Sequence, residues 1–164
     1  MQAIWIDPFR LLDLCNRLMD GHISYGFGIK ANLHVQPEDI KSIDCSGFVR
    51  YLLYNATYSA LKMPDGSWMQ HDWCQKSLFE AVNYATADRC DGWLRIAFLP
   101  PKAGHAGHVW LVQNGATIES HGGKGPDRRP WDTTILKSQV TACYKLAQTY
   151  ILFDPLWQTM MALA

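Results

Sequence analysis

The first regular pattern along the chain predicts an amphipathic helix near the N-terminus. Asp7 followed by Pro8 is typical of a helix start, because aspartate accepts hydrogen bonds from free backbone N–H groups and proline suits the first helical position. Gly21 is expected to end this helix. Between these residues the apolar positions fit one buried helical face: Leu11, Leu14, Cys15 and Leu18.

A second helix is predicted to begin at Cys45 and to run to about Tyr58. Its apolar residues again fit a single buried face: Phe48, Val49, Leu52, Leu53 and Ala56. Residues 22–43 separate the two helices and are predicted to form a loop, because they contain glycines, a proline and few apolar repeats.

A third helix is expected after a cluster of turn residues at positions 63–67. Ser67 or Asp72 is predicted to cap it, since short polar side chains accept hydrogen bonds from the first N–H groups of a helix. The helix is expected to hold three apolar residues: Leu78, Phe79 and Val82.

The second half of the chain shows strand patterns instead. Apolar runs bounded by turn residues predict strands at 93–99, 108–113 and 116–121, and one or two more strands between 140 and 153. Asn114-Gly115 between two of these runs is typical of a tight hairpin. Helices followed by strands indicate an α+β fold in which N-terminal helices pack on an antiparallel β-meander. A length of 164 residues predicts a single domain, 1–164.

Composition and charge exclude several classes of partner. Apolar and aromatic residues make up 48% of the chain, enough for a hydrophobic core, and the formal net charge is zero. A basic field for nucleic acid is therefore missing, and no apolar run approaches the roughly 20 residues of a membrane span. The first residues also lack the basic segment and long apolar core of a signal peptide, so we expect synthesis in the cytoplasm without such a peptide.

The five cysteines are scattered along the chain and show no close pairing: Cys15, Cys45, Cys74, Cys90 and Cys143. This pattern argues against a disulfide framework and favours reduced thiols. Cys15 and Cys143 lie in apolar segments, where a cysteine usually packs as a small hydrophobic residue.

Cys45 has a different setting, because it follows Asp44 directly at the predicted start of a helix. The free N–H groups and the dipole at a helix N-terminus favour the thiolate, which is the nucleophilic form of cysteine. The small residues Ser46 and Gly47 let the backbone turn tightly and a substrate come close. About sixty residues later, His108 opens a strand and is a candidate general base for the Cys45 thiol.

These two segments, Asp44-Cys45-Ser46-Gly47-Phe48-Val49 and Gly107-His108-Val109, resemble the NlpC-like family of bacterial cell-wall cysteine peptidases and amidases. Tyr25-Gly26-Phe27-Gly28 corresponds to a tyrosine and glycines that precede the cysteine in that family, although its connection to Asp44 is longer. The resemblance covers residues 25–121. It implies a minimal papain-like fold and hydrolysis of peptidoglycan stem peptides, typically between D-glutamate and a diamino acid, without any cofactor or metal.

The resemblance also implies roles for further residues. Cys45 is the expected nucleophile and His108 the general base, and the Cys45 N–H with the Tyr25 hydroxyl would face the oxyanion. A third polar residue is expected to orient the His108 ring. Glu119 fits the usual spacing and His121 the usual residue type, and alternation along a strand puts both on one face. Both stay candidates.

The glycine-rich basic segment 122–129 is predicted to be a mobile loop at the edge of the cleft, because it lacks the residue order of a P-loop. Either Arg128 or Arg129 binds carboxylates of a stem peptide there, or the segment is an ordinary solvated loop, and both alternatives stay open. A zinc site is a weaker alternative. Its ligands would be His105 and His108 with His121, but His105 and His108 lack a one-face helical spacing. Residues 71–74 have no second ligand pair at zinc-finger spacing.

The sequence therefore predicts a thiol hydrolase of the cell wall. With no wall-binding repeat and no signal peptide in view, we expect a delivered toxin or a phage-associated lysin that acts in the periplasm or on the wall, and an immunity protein as partner of a toxin. Two alternatives stay open. One is a thiol acyltransferase or amidase with a non-wall substrate, and the other is a binding module with an inactive site.

Overall fold

The computed structural model describes residues 4–77, 79–83, 91–131, 140 and 142–148. Within these ranges lie the helices α1 (Pro8–Asp20), α2 (Cys45–Ala56) and α3 (Ser67–Lys76), with a 3-10 turn at Pro37–Asp39. The strands are β1 (Ser24–Tyr25), β2 (Ser42–Ile43), β3 (Trp93–Leu99), β4 (His108–Gln113), β5 (Ala116–His121), β6 (Gly125–Asp127) and β7 (Ala142–Gln148).

A five-stranded sheet in the order β6-β5-β4-β3-β7 is the framework of the molecule. All its neighbouring strands pair antiparallel, and β7 returns to the free edge of β3. The β4–β5 hairpin turns at Asn114 and Gly115, whose φ angles of 48° and 75° are in the left-handed region that a tight primed turn requires. The predicted hairpin and the mixed helical and antiparallel architecture are confirmed.

Helix α1 forms as its sequence predicts. The Asp7 carboxylate accepts a hydrogen bond from the backbone N–H of Arg10, and Pro8 is at the first helical position. The C-terminal cap is Gly21, whose N–H donates to the carbonyl of Arg17. The predicted apolar face is buried throughout: Leu11, Leu14, Cys15 and Leu18.

Helix α2 packs against α1 and against the sheet strands β4 and β5. Its predicted apolar residues are completely buried: Phe48, Val49, Leu52, Leu53 and Ala56. They share one core with the sheet residues Ile96, Phe98, Val109, Leu111 and Ile118. This packing brings the N-terminus of α2 to the start of β4 and the end of β5.

The other face of the sheet is also buried. A smaller core there includes Ala97, Trp110 and Val112 from the strands, with Trp131 packed over them. None of the α-helices in the described ranges is long and apolar enough to cross a membrane.

The structure corrects several predicted boundaries. Helix α2 ends at Ala56, because Tyr58 and Ser59 adopt left-handed φ angles of 51° and 69°. Residues 22–43 are not entirely loop, since they contain β1, the 3-10 turn and β2. The segment 122–129 is not entirely loop either, because residues 125–127 form β6 on the edge of β5.

The third helix was predicted too far along the chain. Helix α3 begins at Ser67 and ends at Lys76, so Phe79 and Val82 lie beyond it, while Leu78 and Cys90 fall outside the described residues. The backbone after the helix pairs with β7 instead: the Val82 N–H donates to the carbonyl of Cys143. Hydrogen bonds to a sheet edge have replaced the helical ones. Strand β7 fulfils the prediction of a strand after residue 140, and a second one would lie outside the described residues.

Candidate active site

Cys45 is the first residue of α2 and is 5% exposed. Asp44 caps this helix, since its Oδ1 accepts a hydrogen bond of 2.7 Å from the backbone N–H of Gly47. At a helix N-terminus, the free N–H groups of the first turn and the positive end of the helix dipole are close to the first side chains and favour negative charge there.

The Asp44 carboxylate is itself held by two neighbours. Lys30 forms an ion pair with its Oδ2, and the Ser46 hydroxyl donates to its Oδ1 over 3.1 Å. Lys30 Nζ also lies 3.0 Å from Ser46 Oγ. Ser46 is therefore part of the helix cap, and its side chain is buried rather than turned toward open space.

Gly47 lies at a tight place in the structure. An added Cβ would be 3.1 Å from Asp44 Oδ1 and from the Lys30 side chain, and 3.3 Å from the carbonyl oxygen of Ile29, so these neighbours would have to shift by a few tenths of an ångström. A glycine at this position thus lets the segment that contains Lys30 pack closely against the start of α2.

His108 begins β4, where it pairs with Leu99 of β3. Gly107 precedes it at a crowded place: an added Cβ would be 2.8 Å from the Leu99 carbonyl oxygen and 3.1 Å from Ser67 Oγ. The imidazole stacks on Trp110, with 5.4 Å between ring centroids and 23° between planes. Backbone pairing and this stacking together fix where the ring lies.

Cys45, His108 and Glu119 form a continuous chain of polar contacts. His108 Nε2 lies 2.9 Å from Glu119 Oε2, and because a carboxylate only accepts, this nitrogen donates. Nδ1 is then the ring nitrogen left for Cys45, which is near enough to His108 to raise the pKa of the imidazole. The Glu119 side chain is completely buried.

The electrostatics of this chain favour charged partners. Burial opposes the charge on His108, but hydrogen bonds with Cys45 and Glu119 outweigh it and raise the pKa of His108 to about 9. Burial likewise works against an ionised Glu119, yet hydrogen bonds from His108 and Arg129 lower the pKa of Glu119 below its usual value. His108 is therefore an imidazolium that lies between Cys45 and the buried Glu119 carboxylate.

Tyr25 is a further neighbour of Cys45. Burial together with the nearby Cys45 and Asp44 raises the pKa of Tyr25 to about 12. The phenol is therefore a neutral donor next to the sulfur. Strand β1 holds it there through its parallel pairing with β2, in which Tyr25 is opposite Ile43.

Of the other predicted site residues, His121 and Arg128 lie apart from this chain of contacts, and Arg129 joins it through Glu119. His121 Nε2 is 3.2 Å from Asp127 Oδ2, so His121 pairs with Asp127 of β6 and not with His108. Arg128 is exposed, and its charge acts on Cys15 of α1. Arg129 binds Glu119 from the side opposite His108, with 2.6 Å between Nη2 and Oε1.

Two residues near the site were not predicted from the sequence. Lys30 compensates Asp44, and the completely buried Gln70 donates to the carbonyl oxygens of Ser46 and Pro64 over 2.9 and 3.0 Å. Both lie in segments without periodic pattern or known spacing to Cys45. Their only sequence signal is polarity, which most exposed residues share.

A metal ion would need several ligands close together. Over the described part of the chain, His, Cys, Asp and Glu side chains form no group of three or more that could hold one. The four described cysteines, Cys15, Cys45, Cys74 and Cys143, are buried and free.

No protein-family model and no curated protein matches the sequence. Among solved structures, the chain is similar to an NlpC/P60 family protein from Bacillus cereus ATCC 10987, with a TM-score of 0.51 and 16% sequence identity. The fold is similar to that of an NlpC/P60 protein. The superposition covers 80% of this chain and 39% of the Bacillus protein, so the chain spans well under half of that protein's length.

The likeness to the NlpC/P60 protein shows the fold alone, since the sequences are far apart. The papain-like detail, the bond cleaved and the role of each site residue stay predictions.

Proposed function

We propose that this protein is a cysteine peptidase or amidase that hydrolyses peptide bonds in peptidoglycan stem peptides, with the bond between D-glutamate and a diamino acid as the expected target. The observation that carries the proposal is the chain Cys45–His108–Glu119 at the N-terminus of α2. A thiol on a helix N-terminus beside a charged, oriented imidazole is the arrangement that thiol acyl transfer needs.

In the first half of the reaction, the Cys45 thiolate attacks the carbonyl carbon of the scissile amide. The tetrahedral oxyanion would be met by the Cys45 backbone N–H and the Tyr25 hydroxyl. His108 then gives its Nδ1 proton to the leaving nitrogen as the C–N bond breaks. The products of this half are a free amine, a thioester on Cys45 and a neutral imidazole.

In the second half, neutral His108 takes a proton from water while the water oxygen attacks the thioester carbonyl. The C–S bond breaks, the acid leaves, and thiolate and imidazolium are restored. Throughout both steps Glu119 accepts the hydrogen bond from Nε2–H of His108 and so keeps Nδ1 directed at the sulfur. No residue outside this set has to move a proton.

Mass spectrometry of purified peptidoglycan tests the proposal. The wild type should release new stem-peptide fragments whose masses identify the bond, and Cys45→Ala should release none. Cys15→Ala is the matched control, because Cys15 is buried on α1 and should leave cleavage intact. Absence of cleavage by folded wild type on several wall types would refute a wall substrate.

One observation favours the alternative of a thiol acyltransferase or amidase with a non-wall substrate. Phe27 and Ile29 are 74% and 49% exposed and lie on the segment between Tyr25 and Lys30. Tyr25 is next to Cys45 and Lys30 pairs with Asp44, so this segment lies beside the start of α2. An apolar acyl group would find contacts there. A Cys45-dependent thioester with an apolar acyl donor, without peptidoglycan cleavage, would support this alternative.

The biological setting follows only from the resemblance. A delivered toxin or phage-associated lysin would act in the periplasm or on the wall after export or delivery, and a toxin would have an immunity protein as partner. Protection of a target cell by a neighbouring gene product, when the wild type is sent to its periplasm, would test the toxin role.

A further inference from the structure

Glu119 is a buried carboxylate with a cation on each side. Its Oε2 accepts from His108 Nε2 over 2.9 Å, and its Oε1 accepts from Arg129 Nη2 over 2.6 Å and from Nε over 3.2 Å. Each oxygen thus has its own partner, and the side chain has no exposed surface. A carboxylate in such a position would be costly to keep ionised without pairing.

Arg129 is itself held firmly against β5. The Thr117 N–H donates to the Arg129 carbonyl oxygen over 2.8 Å, and the Arg129 N–H donates to Thr117 Oγ1 over 3.3 Å. Two residues further on, the Trp131 N–H donates to the Gly115 carbonyl oxygen over 2.8 Å. The guanidinium therefore starts from an ordered backbone, two residues after β6 ends.

We propose that Arg129 is a positioning residue for the thiol chemistry: it holds the Glu119 carboxylate so that Oε2 stays directed at His108. The proposal rests on the proposed function but concerns a residue that does not touch the reacting atoms. It also gives Arg129 a role different from binding a substrate carboxylate, because both of its contacting nitrogens are directed at Glu119.

The titratable and charged groups of this cluster come from several elements. Helix α2 contributes Cys45, with its cap Asp44 paired to Lys30, β1 contributes the neutral Tyr25, β4 contributes His108, and β5 contributes Glu119, which Arg129 binds through Oε1. Removing Arg129 takes a cation from the buried Glu119 carboxylate, so protonation of Glu119 becomes easier. A protonated Glu119 no longer has to accept from His108, and the ring loses its fixed orientation.

The test is NMR of side-chain carboxyl carbons and imidazole nitrogens, which needs no substrate. The sequence has only three glutamates, Glu38, Glu80 and Glu119, so Glu119→Gln assigns the signal directly. In Arg129→Met, the titration midpoint of Glu119 should rise by about one pH unit or more, since an adjacent cation depresses a carboxyl pKa by that order. The His108 nitrogen shifts should move with it.

Variants of graded chemistry separate positioning from folding. Arg129→Lys keeps a cation and should preserve most of the Glu119 midpoint, while Arg129→Gln keeps hydrogen bonding and should not. Lys124→Met is the matched control, because this exposed cation of the same hairpin pairs with Asp127 and not with Glu119. It should leave both midpoints unchanged.

Activity adds a second readout if the wall substrate is right. Arg129→Met should lower kcat about tenfold or more with little change in KM, since the interaction acts on chemistry and not on substrate binding. Unchanged Glu119 and His108 titrations in folded Arg129→Met and Arg129→Gln would overturn the inference. Because the NMR result is independent of peptidoglycan cleavage, failure of the proposed function would be recognised separately.

Discussion

The Nε2 atom of His108 lies 2.9 Å from Oε2 of Glu119, while His121, two residues along the same strand, pairs with Asp127. The first contact orients a charged imidazole toward Cys45, and the second ties β5 to β6. We therefore infer that Glu119, and not His121, is the third member of the thiol site.

Separate variants of the two candidates should differ strongly. Glu119→Gln should lower kcat/KM about 10²-fold or more, because the amide cannot stabilise the imidazolium and general acid–base catalysis is worth this much. His121→Ala should stay near the wild type, since it removes only the contact with Asp127. Initial rates of fragment release measure both, and the reverse ranking would show that His121 orients His108.

The pH dependence of cleavage should report His108. Its pKa is raised to about 9, and the protonated ring is the acid that the leaving amine needs, so kcat/KM should fall as the pH rises through about 9. Glu119→Gln removes one of the hydrogen bonds that raise this pKa and should shift the decline to lower pH. A wild-type decline near the ordinary histidine value of 6.5 would contradict the charged site.

Tyr25→Phe tests the hydroxyl beside Cys45. The ring would keep its packing, but the oxyanion would lose a donor, so we expect kcat to fall by about 10²-fold with little change in KM. Tyr58→Phe is the matched control, because that exposed tyrosine lies just beyond the C-terminal end of α2, where its hydroxyl donates to Asp7, the cap of α1. Equal rates for Tyr25→Phe and wild type would make Tyr25 a packing residue only.

Asp44 should contribute to stability as well as to the site. Asp44→Ala removes the cap of α2 and leaves Lys30 without its carboxylate, which should lower the free energy of unfolding by about 1–2 kcal/mol in urea denaturation. Asp44→Asn keeps the acceptor for the Gly47 N–H and should lose less. Asp13→Ala removes an exposed ion pair on α1 and should change the free energy of unfolding little. If Asp13→Ala lowered it as much as Asp44→Ala does, the Asp44 cap would have no special stabilising role.

Local patterns predicted the parts of this protein whose causes are local. The Asp7 cap with its apolar stripe, the Asn114-Gly115 hairpin and the run behind Cys45 all act over a few residues, through capping, left-handed turn geometry and side-chain spacing. Cys45 and His108 could be proposed as site residues for the same reason, because a thiol after a cap and a histidine at a strand start are short patterns.

Contacts between distant segments decided the rest. Phe79 and Val82 leave the helical pattern because β7, some sixty residues away, offers backbone hydrogen bonds. Glu119 and His121 have the same alternation, and only the arrangement of His108, β6 and Arg129 around β5 separates them. Lys30, Gln70 and Arg129 acquire their partners through folding, since a polar side chain has no preferred partner until the backbone brings one within hydrogen-bonding distance.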